Sequence, residues 1–282
     1  MRTYFECFPC FLNQALMASQ YMGLDDQATE QVLHAVAELI PQIPRESSPP
    51  ETGRRVYRII REVSGNPDPY RQIKQHSTAR ALEFYPVMKQ MAADTDDPLA
   101  AAIKIAAAGN VIDYGINASC SIEAEVGRIL DNEFAVFDIE AFRQRLETAD
   151  HILYIGDNAG ECVFDRVLIE QLGKPVTYVV RGFPIINDAT AEDAEAAGIH
   201  RVAGIVSSGT DAPGTVLETC SPDFLALFEK PGLKLSKGQG NYEALSAQKQ
   251  PIFFLLKAKC SVIARDLDVS VGQMIFTAMH AA

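Results

Sequence analysis

The sequence predicts an α/β protein, with a doubly wound, mostly parallel sheet in its C-terminal half joined to an α-helical N-terminal part. Three observations carry this. In residues 1–146 the apolar positions recur at helical spacing with no alternating strand pattern. From residue 151 short unbroken apolar runs alternate with helical ones, as parallel strands covered on both faces require. The chain of 282 residues, 48% hydrophobic and 22% charged, is long enough for a sizeable core. A division into a mainly helical part, 1–146, and an α/β part, 147–282, follows.

In chain order, Leu12, Ala15 and Leu16 mark a first helix, Val32, Val36, Leu39 and Ile40 a second, and Val56, Ile59, Ile60 and Val63 a third. Pro41, Pro44, Pro49 and Pro50, with Ser47 and Ser48, separate the last two, and Pro67 and Pro69 form another loop. Pro86 marks a kink or a helix start. Residues 99–108 are apolar almost all round, which predicts a helix buried on most sides and stopped at Gly109–Asn110. Asp138 is predicted to cap a helix carrying Ile139, Phe142 and Leu146. Strands are predicted at 151–155, 176–180, 202–206, 233–235 and 252–256.

Charge excludes some functions. The net charge is −12, shared equally between the two halves, and no Lys/Arg run supplies the footprint of a nucleic-acid binder. The N-terminus lacks a signal-peptide core, so the expectation is a cytosolic protein that does not enter a membrane. Its six cysteines then read as thiols rather than a disulfide framework. Only Cys7 and Cys10 have a suggestive spacing. That spacing suits half a zinc site, a redox pair or two buried small residues, and the bland structural reading is preferred. The five histidines are scattered and carry no metal-ligand spacing.

In a doubly wound sheet, ligands bind beyond the carboxyl ends of the strands. The first predicted strand of the α/β part ends in Gly156-Asp157-Asn158-Ala159-Gly160-Glu161, and the second is followed by Asn187-Asp188. If those strands are neighbours, Asp157, Asn158 and Asp188 converge as three hard oxygen donors suited to Mg²⁺ or Mn²⁺. The same carboxylates also suit helix N-caps. Ser207-Ser208-Gly209-Thr210 and Lys237-Gly238-Gln239-Gly240-Asn241 follow later strands. A glycine turn opening a helix, with a lysine beside it, can cradle phosphate, although glycine pairs also end strands for conformational reasons. No P-loop, dinucleotide fingerprint, H-E-x-x-H or G-x-S-x-G elbow is present.

As a set, Asp157-Asn158-Ala159-Gly160-Glu161, Arg181-Gly182-x-Pro184-Ile185-x-Asn187-Asp188-Ala189-Thr190, Ser208-Gly209-x-Asp211-x-Pro213-Gly214-Thr215, Lys237-Gly238-Gln239-Gly240-Asn241-Tyr242-Glu243 and Lys257-Ala258-Lys259-Cys260 resemble the metal-dependent damage-control phosphatases, long labelled a domain of unknown function. The resemblance reaches back to Gly109-Asn110-Val111-Ile112-Asp113 and to Cys7-Phe8-Pro9-Cys10, which is similar to the N-terminus of the archaeal and bacterial branch. It departs at Ser207, Thr210 and the basic Lys230 and Lys234, positions that bear on substrate rather than chemistry.

The resemblance implies a phosphatase that hydrolyses phosphomonoesters of small metabolites, such as sugar phosphates or damaged phosphometabolites, with Mg²⁺, Mn²⁺, Co²⁺ or Ni²⁺. It implies Asp157, Asn158 and Asp188 as metal ligands and Lys237 on the substrate phosphate. Asn110, Asp113, Glu161, Arg181, Ser208, Gly209 and Gly238 would complete the substrate pocket. Residues from the helical part would then share one active-site cleft with the sheet. Water or the Asp157 carboxylate serves as nucleophile. Two rival readings are a methyltransferase acting on protein carboxylates and a non-enzymatic metal-binding module. The oligomeric state and the physiological substrate are not legible in the sequence.

Overall fold

The computed structural model describes residues 1–112, Gly127, Leu130, Asp131 and residues 133–279. Five helices come first: α1 (Cys7–Tyr21), α2 (Asp26–Leu39), α3 (Pro49–Ser64), α4 (Arg71–Ala93) and α5 (Pro98–Ile112). Ser48 and Glu51 close a capping box at the start of α3, and Gly65 ends it in the left-handed conformation at φ 66°. Pro86 lies inside α4. The stop expected at Gly109–Asn110 is overrun, because α5 continues to Ile112. No described helix is long and apolar enough to cross a membrane.

The second half alternates β2 (Ile152–Ile155), α7 (Glu161–Leu172), β3 (Val176–Val180), α8 (Ala191–Ala196), β4 (Gly204–Ser207), α9 (Pro222–Phe228), β5 (Leu233–Lys237), α10 (Gln239–Leu245), β6 (Ile252–Lys257) and α11 (Ser261–Asp266). All five predicted strands are present, with the third displaced to Gly204–Ser207 and the fourth extended to Lys237. Two strands went unpredicted: β1 (Phe134–Phe137), which precedes α6 (Ile139–Thr148), and β7 (Met274–Met279). β1 therefore lies within the stretch read as helical. Four apolar residues give too short a pattern to separate strand from helix.

The sheet order is β1-β7-β6-β5-β2-β3-β4. β6 and β7 pair antiparallel, and every other neighbouring pair is parallel. From β2 the chain steps outward to β3 and β4, then returns to β5 on the opposite side of β2. The order thus reverses between β2 and β5, and the crevice opens at their carboxyl ends.

One face of the sheet buries Phe84 and Met88 of α4, Ile105 of α5, Phe142 of α6 and Phe164 of α7. Phe224 and Phe228 of α9, Tyr242 of α10 and Ile263 of α11 cover the other. A third cluster joins α1, α2 and α3 through Phe11, Val32, Val36, Val56 and Ile60, and rests on Ile185 in the loop after β3. The helical part is thereby seated against the loops that follow the strands. Lys74 of α4 strengthens this docking: 2% exposed, it reaches Asp68 and Asp193, each at 3.0 Å.

Asp138 occupies the N-cap position of α6 without capping it. Its Oδ2 instead accepts from Thr277 Oγ1 at 2.9 Å and from Ala278 N at 3.0 Å, anchoring the unpredicted β7. Phe142 packs edge-on against Phe253 of β6 and Phe276 of β7, with centroids 5.1 and 5.2 Å away. Phe142→Ala is expected to cost about 3–5 kcal/mol of stability by opening a cavity under these strands, as measured by denaturant unfolding.

Candidate functional site

β2 and β3 deliver the central residues. The loops that follow them are stapled by two backbone bonds, Ala189 N to Asp157 O at 2.8 Å and Ala159 N to Asn187 O at 2.9 Å, and Asn158 pairs with Asp188 as an isolated antiparallel bridge. Asp157, Asn158 and Asp188 are 8%, 6% and 4% exposed. Neither aspartate caps a helix. The N-cap of α7 is Gly160, and that of α8 is Thr190, which forms its capping box with Asp193. The loop carries strain beside Asp188, since Ile186 sits at φ 45°, a region β-branched residues rarely enter.

Gly238, at φ 82°, opens the turn after β5. A Cβ built there would lie 1.9 Å from Asp157 Oδ2. Only glycine lets the β5 turn pass this close to the carboxylate.

Beneath the acids lies Arg181, 1% exposed. Its Nε donates to Asp188 Oδ2 at 2.8 Å, and its terminal nitrogens donate to Thr215 Oγ1 and Asn241 Oδ1, each at 3.1 Å. Asp157 Oδ1 is 3.7 Å from the same guanidinium. Asn241 also donates to Gly156 O at 3.0 Å and Lys237 O at 2.8 Å, tying the ends of β2 and β5 together. Burial raises the Asp157 carboxyl well above the usual carboxylate range, and the charges of Glu161 and Asp188 add to this against the pull of Lys259 and Arg181. Burial raises Asp188 too, opposed chiefly by Arg181. Two buried acids whose ionised forms are disfavoured constitute a site that a cation would satisfy.

The donor set fits a hard divalent ion. Asn158 Nδ2 donates to Asp157 Oδ2 at 3.2 Å and to Glu161 Oε1 at 2.6 Å. Both amide hydrogens are thus committed, which leaves Oδ1 as the third oxygen beside the two carboxylates.

These residues open onto a cavity of about 330 Å³, lined by Asp157, Asn158 and Asp188 from the sheet side and by Cys7, Cys10 and Phe11 of α1. The helical part and the sheet therefore share this cleft. Among its described lining residues Lys259 is the one lysine or arginine, facing Glu6, Glu243 and the two aspartates. Burial pushes the Glu243 carboxyl up to about 7, against the pull of Gln239, the chain amino group and Lys259. Cys7 rises to about 11, chiefly by burial, with the carboxylate of Glu243 adding to the rise. The cysteine pair thus belongs to the cleft wall.

Several expected pocket residues lie elsewhere. Lys237 is 1% exposed and absent from the cavity lining, and its ammonium donates to Ala106 O, Glu161 Oε2 and Asp165 Oδ1 at 2.8, 3.0 and 2.6 Å. Ser208 is buried and donates to Val180 O at 2.8 Å, and Gly209 packs against Gly182 so closely that a Cβ there would lie 2.6 Å from its backbone. These two shape the β3–β4 end. Arg181 and Glu161 support the acids from below. Asn110 lies within α5, its side chain outside the described set, and Asp113 lies outside the described residues.

Lys259, Glu243, Asn241 and Thr215 all stand in motifs recognised in the sequence, yet nothing in those motifs distinguishes a cleft-facing lysine from a buried one. The signal for Lys259 was positional only, since it follows β6 by two residues.

Residues 3–275 match the family model described as the damage-control phosphatase ARMT1-like domain. An uncharacterized protein of Methanocaldococcus jannaschii is 36% identical, over 96% of this chain and 93% of its own. A damage-control phosphatase of Pyrococcus horikoshii is 33% identical, over 98% and 97%, and one of Archaeoglobus fulgidus is 30% identical, over 95% and 96%. The crystal structure of a DUF89 family protein from Pyrococcus horikoshii superposes with a TM-score of 0.92 at 31% identity, covering 99% of both chains.

The raised carboxyls of Asp157 and Asp188 imply a pH dependence. The folded state binds these protons more tightly than the unfolded state, so their contribution to stability is present below about pH 4 and is lost as pH rises through the raised values. A divalent cation held by the two carboxylates would offset that loss. Thermal melts between about pH 5 and pH 8 should therefore show a Mn²⁺-induced stabilisation that grows with pH; a shift that is flat with pH contradicts this.

Proposed function

This chain belongs to the damage-control phosphatase ARMT1-like family, and from that premise we propose that it hydrolyses phosphomonoesters of small metabolites with a divalent cation held by Asp157, Asn158 and Asp188. The observation that carries the reading is the meeting, in one cavity of about 330 Å³, of two buried carboxylates and an amide with Lys259, the one lysine among the described lining residues. Among the described lining residues, a phosphate entering this cavity meets the carboxyls of Glu6, Glu243, Asp157 and Asp188 and the ammonium of Lys259. A cation held between Asp157 and Asp188 would favour their ionised forms and offset the charge that a phosphate brings, so the two buried carboxyls favour cation dependence. When bound, the cation supplies positive charge to the phosphoryl oxygens.

The chain's own residues do the rest. Arg181 pins the Asp188 carboxylate through the 2.8 Å bond from Nε. Lys259, at the cavity wall, takes the role of phosphate ligand that the family resemblance implied for Lys237. Its backbone N–H donates to Gln239 Oε1 at 2.9 Å, which fixes the loop carrying it. Cys7, Cys10, Phe11, Pro50 and Ile186 give the rest of the wall an apolar character that excludes water from the reacting phosphate. Uncatalysed phosphomonoester hydrolysis is among the slowest of biological reactions, so charge neutralisation by preorganised groups is the contribution the fold has to make.

Phosphate release from a panel of phosphorylated sugars and cofactor fragments, measured with Mg²⁺, Mn²⁺, Co²⁺ and Ni²⁺ in turn after chelation, tests the proposal. Activity should vanish in chelator and return with a divalent ion. Full turnover with no metal retained by elemental analysis overturns it. Asp188→Ala should abolish metal binding, while Lys259→Met should keep it and lower turnover by about 10²–10³. Both are read from calorimetric metal titration alongside phosphate release.

A further inference from the structure

Lys237 has no hydrogen left for a substrate. Its ammonium carries three donors, and Ala106 O, Glu161 Oε2 and Asp165 Oδ1 take them all. Burial alone would lower its pKa, but Asp165 and Glu161 reverse this and raise it, so the ion pairs hold the ammonium charged. Asp165 is held in turn by the hydroxyls of Tyr154 at 2.7 Å and Tyr178 at 2.6 Å. Glu161 is 0% exposed, and while one of its oxygens is held by Lys237 the other accepts from Asn158 Nδ2 at 2.6 Å.

An amide has nearly the same shape in either orientation, so packing cannot tell Asn158 oxygen from nitrogen. Hydrogen bonding can. The Glu161 oxygen that is not held by Lys237 accepts from Asn158 Nδ2, which draws the NH₂ end toward Glu161 and turns the oxygen end the other way.

We propose that Lys237 and Glu161 are positioning residues for the cation site: Lys237 fixes the Glu161 carboxylate, and Glu161 fixes the Asn158 amide with Oδ1 presented as a ligand. This rests on the metal-dependent reading above. It makes the lysine of the Lys237-Gly238 turn part of the support of the metal ligands rather than of the phosphate site.

The test compares Mn²⁺ affinity by calorimetry with inorganic phosphate affinity at saturating Mn²⁺. Glu161→Gln is near-isosteric but can donate to Asn158 Oδ1 and turn the amide over. It should weaken Mn²⁺ binding by about ten- to a hundredfold and leave phosphate affinity unchanged. Lys237→Met should behave alike, and Lys259→Met should show the reverse pattern. In an Asn158→Asp background, where an oxygen is presented in either orientation, Glu161→Gln should cost no Mn²⁺ affinity. Should Lys237→Met fail to fold, Glu161→Gln in the two backgrounds decides. Wild-type Mn²⁺ affinity in Glu161→Gln, an equal loss in both backgrounds, or a loss of phosphate affinity alone in Lys237→Met overturns the proposal. Wild-type protein that binds no Mn²⁺ overturns the metal reading itself, a separate outcome.

Discussion

The structure depends on keeping like charges buried at the point where the sheet reverses its strand order. Asp157, Asp188, Glu161 and Asp165 are each no more than 8% exposed. An ionised carboxylate taken out of water costs several kcal/mol unless charge and hydrogen bonds replace the solvent. Two buried cations answer this from inside the protein, Arg181 against Asp188 and Lys237 against Glu161 and Asp165. On the cavity side, Lys259 is the one lysine or arginine among the described lining residues.

That arrangement dictates backbone as well as side chains. Gly238 has to be glycine because the β5 turn lies against the Asp157 carboxylate, and Gly182 because the β3 end lies against Gly209. Ile186 accepts a left-handed φ so that the loop after β3 can return Asp188 to the end of β2. Asn241 then binds the ends of β2 and β5 with the Thr215 loop through both ends of its amide. Close approach at Gly238 and the left-handed φ of Ile186 both fall where the loops carrying Asp157 and Asp188 converge.

The helical part completes the cleft. Its cluster rests on Ile185, α1 contributes Cys7, Cys10 and Phe11 to the cavity wall, and α5 supplies the Ala106 carbonyl that accepts from Lys237. Arg54 and Arg61 of α3 both pair with Asp211 in the loop after β4, fixing α3 beside the cavity. Both halves of the chain therefore line the cavity onto which the acids open. The match to the family model across residues 3–275 agrees with one continuous unit.

The sequence alone determined the parallel strands of the second half, because unbroken apolar runs between helical segments permit little else, and it determined the acids at their carboxyl ends. It also carried the family through five motifs in order. The tertiary structure decided which polar residues face the cleft. Lys237 and Lys259 both sit at strand ends in recognisable motifs, and nothing in either motif states that one ammonium is enclosed by Glu161 and Asp165 while the other lines the cavity. It also decided against helix capping for Asp157 and Asp188, since Gly160 and Thr190 hold those positions, and it recruited β1 and β7 through pairing partners far away in the chain. Apolar periodicity is written locally, residue by residue. The partner of a buried charge and the neighbour of a short strand are set by contacts between distant segments, which no local pattern records.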